Sequence, residues 1–205
     1  RVFAGTWLIY AGYYLCRKTI SIAQPEFMKE FGWGADMIGM ILTGYHIGYA
    51  LGQFVNGPIG DNWGARRILT VGAVMTIATN LLFGFTVSQS VMGLLWAING
   101  YAQSCGWPSV IRAMSNWFSI KERGKVMGPW GTCYTVGDVV GTGLAAFVIG
   151  HTAKHSITNP AGVAVTYADW TWVFWVAAGV LAIVSLISLS LLRDKPKDEI
   201  GRAQV

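Results

Sequence analysis

The sequence predicts an all-α membrane protein, a six-transmembrane-helix bundle, and three observations carry that prediction. Of 205 residues, 53% are hydrophobic and 12% charged, against about 25% charged in ordinary soluble domains. The apolar residues gather into stretches of roughly twenty, the length that carries a helix across about 30 Å of hydrocarbon. Basic residues gather in alternate connecting segments, as the positive-inside rule requires of a chain that crosses repeatedly. The ten tryptophans and 26 glycines agree, since Trp collects at membrane interfaces and Gly is tolerated in transmembrane packing.

The expected helices are 5–25, 36–57, 67–87, 91–117, 126–150 and 170–192, with a polar tail at 193–205. The first contains Arg17 and Lys18. Ending it at Cys16 would leave about 22 Å of helix, too short to span, so the two cations are expected inside. "PEFMKEFGWGAD" separates it from the second helix, which carries Gly44, Gly48 and Gly52 at the four-residue spacing that lets backbones approach closely. "GPIGDNWGARR" leads to the third helix and "SQS" to the fourth. "SIKERGK" precedes the fifth, where Gly137 and Gly141 repeat the small-residue spacing. The polar stretch 151–169 precedes the sixth.

With the N-terminus inside, the internal segments hold Arg1, Arg66, Arg67, Lys121, Arg123, Lys125, Arg193, Lys195, Lys197 and Arg202, against Lys29 and Lys154 outside. Both termini are therefore expected in the cytoplasm. Topology accounts for the net charge of +5, and nothing in the pattern points to nucleic acid. Cys16, Cys105 and Cys133 lie in apolar stretches without CxxC spacing and read as small buried hydrophobes. His151 and His155 lack acidic or Cys companions at metal spacing, and His46 in the second helix reads as hydrogen-bonded within the bundle. No metal or cofactor is expected, and no nucleophile–base pair or nucleotide loop suggests an enzyme. The chain opens on Arg1, as a fragment would.

An arginine at helix depth costs roughly 2.5–3.5 kcal/mol on the lenient insertion scale, so it is normally turned toward a cavity or a partner. Tyr10, Tyr14, Arg17 and Gln24 share one face of the first helix. A guanidinium fork beside phenols suits a phosphate or carboxylate, with pairing to an acid inside the bundle as the other reading. Lys18 points about 100° away. Asp138, in "YTVGDVVGTG", can neutralise a basic residue, sense protons or meet a cationic part of a substrate. Arg112, near the end of the fourth helix, either snorkels, braces the bundle or meets substrate.

"GPIGDNWGARR" places Gly57, Asp61, Gly64, Arg66 and Arg67 in a pattern that resembles the loop signature of major facilitator superfamily transporters, with Asn62 where that family usually has a basic residue. Glycines would permit a tight cytoplasmic turn there, and Asp61 could pair with the arginines. "YYLCRK", "GWPSVIRAMSNWFSIKERGKVMG" and "LLRDKP" resemble the organic phosphate:phosphate antiporters of that superfamily, the group of glycerol-3-phosphate and hexose-phosphate transporters and sugar-phosphate permeases. The resemblance implies the N-terminal half of a major facilitator fold, in a bacterial inner membrane, with a second six-helix half as its missing partner. It implies exchange of an organic phosphate for inorganic phosphate, with Arg17 on the phosphate and Tyr10, Tyr14, Gln53, Trp107 and Tyr134 shaping the rest of the site; Lys18, beside Arg17, is a further candidate substrate-binding residue that need not face the same cavity. Gln53 and Tyr134 stand where the glycerol-3-phosphate transporter has lysine and histidine, and Asp138 where it has glycine. The site is therefore expected to be less positive. Arg112, Glu122 and Arg123 are expected to be structural or gating residues. The alternatives from the same residues are a transporter-like receptor that signals to a partner and a proton-coupled anion symporter using Asp138.

Overall fold

A computed structural model of the chain describes residues 1–160 and 162–193, the side chain of Asp61 excepted. The elements in order are α1 (Val2–Phe31), α2 (Ala35–Trp63), α3 (Ala65–Phe83), α4 (Gln89–Ser104), α5 (Gly106–Trp117), α6 (Ile120–Trp130), α7 (Thr132–His151), β1 (Lys154–Thr158), β2 (Ala164–Ala168) and α8 (Thr171–Leu191). Cys105 between α4 and α5 and Gly131 between α6 and α7 both keep right-handed helical dihedrals, near φ −59, ψ −21 and φ −58, ψ −19. Each pair therefore continues as one rod, and the bundle has six.

The rods differ from the sequence expectation where proline and packing compete. α1 runs through Pro25 to Phe31 and ends at Gly32, whose φ of 67 stops it. A proline removes one helical hydrogen bond, and here the buried Glu26 and Phe27 hold the following turn in place. α2 likewise continues through Pro58 to Trp63, so Gly57 lies inside a helix and not in a cytoplasmic turn. Gly64, at φ 85, makes that turn alone. The expected fourth helix, 91–117, is divided at Cys105, close to Pro108, which offers no N–H to the Ser104 carbonyl. The fifth begins at Ile120 instead of 126, started by a capping box in which Ser119 and Glu122 bond reciprocally. The stretch after α7 is not merely polar loop: β1 and β2 pair antiparallel, Lys154 opposite Ala168 and Thr158 opposite Ala164. The tail beyond Arg193 and the side chain of Asp61 lie outside the described residues.

Among the described residues, Ala65–Phe83, Ile120–His151 and Thr171–Leu191 are long and apolar enough to cross a membrane by length and composition alone. α1 carries Arg17, Lys18, Glu26, Lys29 and Glu30. The α2 and α4–α5 rods are rich in Gly, Tyr, Asn and Gln, the residues that build the polar interior.

Two apolar cores lie one above the other. The first, at the Arg1 end, gathers Ile9, Tyr13, Cys16, Leu69, Val110, Trp130 and Leu181. The second, toward the hairpin, gathers Ile20, Phe27, Ile38, Phe83, Met92, Trp96 and Phe174. Between them, Thr76, Asn80, Asn99 and Gln103 are fully buried. Small residues set the helix spacing. A Cβ on Gly137 would lie 2.5 Å from the Ala11 carbonyl oxygen, and one on Gly141 would lie 2.7 Å from the Leu15 Cα, so α7 sits backbone to backbone against α1. Gly48 and Gly100 do the same for α2 and α4.

Candidate anion-binding site

The level between the two cores is where α1 carries Arg17. Its Nε donates to the Gln103 Oε1 at 3.1 Å, and the same oxygen accepts from the Tyr45 hydroxyl at 3.0 Å. Gln103 Nε2 then donates to Asn99 Oδ1 at 2.9 Å, and Asn99 Nδ2 to Thr79 Oγ1 at 2.7 Å. Arginine can only donate, so the Gln103 carbonyl must face it and the amide nitrogen must point onward to Asn99. The direction of the whole chain follows from that one constraint. The Arg17 Cζ also lies over the rings of Tyr14 at 4.4 Å, Tyr49 at 5.2 Å and Tyr45 at 5.5 Å. Ring faces favour a cation without neutralising it.

Below Arg17, aromatic rings form a continuous wall. Tyr14 meets Tyr134 at 5.2 Å and Tyr10 meets Tyr134 at 5.5 Å, Trp130 at 5.2 Å and Trp107 at 6.3 Å between centroids. Tyr10 is almost wholly buried; Tyr14 and Tyr134 are half-buried and border the open face. The structure thus brings Tyr10, Tyr14, Arg17, Trp107 and Tyr134 together. Gln53 lies on the α2 face of Tyr45 and Tyr49, one turn beyond Tyr49, and makes no bond to Arg17. Gln24 stays outside the cluster, two turns along α1.

Lys18 goes elsewhere. Its Nζ lies 2.8 Å from the Asp138 carboxylate, one turn beyond the Tyr14–Tyr134 contact on both helices. Among the described residues Arg17 pairs with no acid: its side-chain hydrogen-bond partner is the neutral Gln103, and Asp138 pairs with Lys18. His46 bonds the Leu42 carbonyl at 2.8 Å on an exposed face.

The remaining named residues lie toward the Arg1 end. Arg112 and Trp107 line a groove of about 520 Å³ with Gly57, Gly60, Ser115 and Asn116. Arg123 donates from Nε to the Phe118 carbonyl at 3.1 Å and from Nη2 to that of Ser115 at 3.0 Å, closing the end of α5. The Ser119 hydroxyl and backbone N–H both donate to the Glu122 carboxylate, at 2.6 and 3.0 Å. Arg66 and Arg67 follow the Gly64 turn at the start of α3. Among the described residues, no cluster of His, Cys, Asp and Glu has metal-site geometry.

Sequence reading misses Tyr45, Tyr49, Asn99, Gln103 and Trp130. Two patterns mark all but Trp130. Asn99 and Gln103 are amides four apart on an apolar helix, and Tyr45, Tyr49 and Gln53 repeat the four-residue step on α2.

The Major Facilitator Superfamily model matches residues 6–204 of the chain. The chain is 33% identical to a glycerol-3-phosphate transporter of Bacillus subtilis over 96% of its length and 42% of the relative's. It is 34% identical to the membrane sensor protein UhpC of Salmonella typhimurium, covering 93% of this chain and 40% of that one. A probable hexose phosphate transport protein of Chlamydia trachomatis is 27% identical over 96% of this chain and 40% of its own. The chain therefore spans about two fifths of the length of these relatives. Among solved structures, a bacterial homologue of the human lysosomal transporter Spinster, inward-facing and unoccupied, superposes with a TM-score of 0.81 at 16% identity, over 96% of this chain and 43% of that one, which speaks to the fold alone.

Proposed function

The chain belongs to the major facilitator superfamily, as the N-terminal six-helix half of that fold, and on this premise we propose that it supplies the phosphate-binding half of a secondary transporter. The transporter exchanges an organic phosphate, a sugar phosphate or glycerol phosphate, for inorganic phosphate. One observation carries the reading: a half-buried guanidinium between two apolar cores, tied by a single nitrogen to a neutral amide and otherwise framed by tyrosine rings. An uncompensated cation at that depth is stabilised when an anion arrives. The names of the matched glycerol-phosphate and hexose-phosphate transporters support the same ligand class.

In the proposed mechanism the two terminal nitrogens of Arg17 take two phosphate oxygens as a fork, and the Tyr14 and Tyr134 hydroxyls receive the hydroxyl-rich remainder, with the buried Tyr10 ring packed behind them. A second half closes over the site, and alternating access follows from one half rocking on the other. The α1–α7 and α2–α4 backbone contacts keep this half rigid enough to move as a body. Both termini of the segment lie on the cytoplasmic side, in a bacterial inner membrane.

The identity to a membrane sensor protein favours a second reading, a receptor that binds the same ligand and signals. Counterflow separates the two. Full-length protein in vesicles loaded with unlabelled phosphate should accumulate labelled phosphate, and sugar phosphate outside should compete. Saturable ligand binding without flux would select the receptor.

A further inference from the structure

The buried chain Thr79–Asn99–Gln103–Arg17 crosses from α3 through α4 to α1, and Tyr45 joins it from α2. Its members other than Arg17 are uncharged, and Asn99 and Gln103 are fully buried. A stronger partner for Arg17 is chemically simple, since glutamate is the same length as glutamine. One residue along, the fold does use a carboxylate, and Lys18 pairs with Asp138. The structure therefore holds two adjacent cations in two different ways.

We infer that Gln103 is the positioning residue that aims the Arg17 fork while leaving its charge unneutralised, and that its neutrality sets the site's affinity for oxyanions. This rests on the reading of Arg17 as the phosphate clamp. The Gln103 oxygen fixes Nε, and because the guanidinium is planar, fixing one nitrogen leaves the other two presented as a fork in one plane. Asn99 and Thr79 in turn fix the Gln103 amide, so the rotamer is locked from behind. A carboxylate here would accept the Arg17 and Tyr45 bonds equally well, yet cancel the charge that an arriving phosphate must find.

The test uses full-length protein in detergent, with inorganic phosphate as the probe, read by equilibrium binding and by thermal unfolding. Gln103→Glu should weaken phosphate binding about tenfold or more, with a lower unfolding temperature because the carboxylate cannot donate to Asn99 Oδ1. The deficit relative to wild type should shrink as pH falls and the introduced carboxylate takes a proton, a response that a packing defect would not give. Wild-type affinity in Gln103→Glu, or a deficit that ignores pH, overturns the inference. Should that variant not fold, Gln103→Met decides instead: it removes the acceptor at similar length and should weaken binding several-fold, whereas unchanged affinity rejects the positioning role. Arg17→Ala is the separate control. Phosphate binding that survives it rejects the clamp itself, while its loss together with normal binding in Gln103→Glu rejects only the role of Gln103.

Discussion

Lys18 and Asp138 close an ion pair at 2.8 Å between α1 and α7, one turn above the contact of Tyr14 with Tyr134. The pair sits beside the candidate site and ties α1 to α7. Its larger effect is on charge. With Asp138 in place, this wall offers the net charge of Arg17 alone.

Asp138→Asn releases Lys18 as a second unpaired cation near the clamp. Inorganic phosphate should then bind about three- to tenfold more tightly at low salt, with a steeper loss of affinity as salt is added. Lys18→Ala combined with Asp138→Asn should return both properties to near wild type. Titrations at two ionic strengths read the outcome, and equal affinities in all three proteins would mean that the pair does not tune the site.

The glycine contacts give a prediction about packing alone. Gly137→Ala pushes a methyl group against the Ala11 carbonyl and the Tyr14 Cβ, so α7 must leave α1 or strain it. The cost should be about 1–3 kcal/mol, seen as a lower unfolding temperature. Gly143→Ala meets nothing within 4 Å and should be neutral or slightly stabilising. If the two substitutions behave alike, the close approach of α1 and α7 is not a source of stability.

The hairpin is docked onto the end of α1 by carboxylates. The Tyr167 hydroxyl donates to Glu30 at 3.0 Å, Trp170 Nε1 donates to the same carboxylate at 2.6 Å, and the Ala168 N–H donates to Glu26 at 2.6 Å. Burial first, and the bond and charge of Glu30 second, push the Tyr167 phenol up to about 12. A raised phenol contributes docking stability that is whole below the ordinary value of about 10 and is lost as pH rises through the folded value. Phenolate absorbance, taken as the difference between wild type and Tyr167→Phe, should titrate near that raised value and fall back toward the ordinary one in Glu30→Gln. Titration at the ordinary value in both would contradict the docking.

The fold and the site were legible in the sequence to different depths. Six apolar stretches with basic loops on alternate sides fix the number of rods, because desolvation in a bilayer leaves few other solutions. Pro25 and Pro58 misplace the helix ends, since a single lost hydrogen bond is outweighed by packing that local sequence does not display. Arg17 stands out from its neighbours by its cost alone, and Tyr10 and Tyr14 by their spacing. Its partners do not. Gln103 lies 86 residues away and Tyr45 on another helix, so only the tertiary crossing of α1, α2 and α4 brings them together. The pairing of Lys18 with Asp138, 120 positions apart, was open for the same reason: charge suggests it, but helix rotation decides which of two adjacent cations the acid meets.

In the proposed site the Arg17 fork, and not merely a positive charge, holds the phosphate. Arg17→Lys in the full-length protein keeps the charge but loses the planar fork, the bond to Gln103 and the stacking on the tyrosine rings. Phosphate exchange in vesicles should fall about ten- to a hundredfold, the loss expected for charge-assisted hydrogen bonds, with the unfolding temperature little changed. Exchange at near wild-type rates in Arg17→Lys would show that a positive charge alone suffices and that the fork does not hold the phosphate.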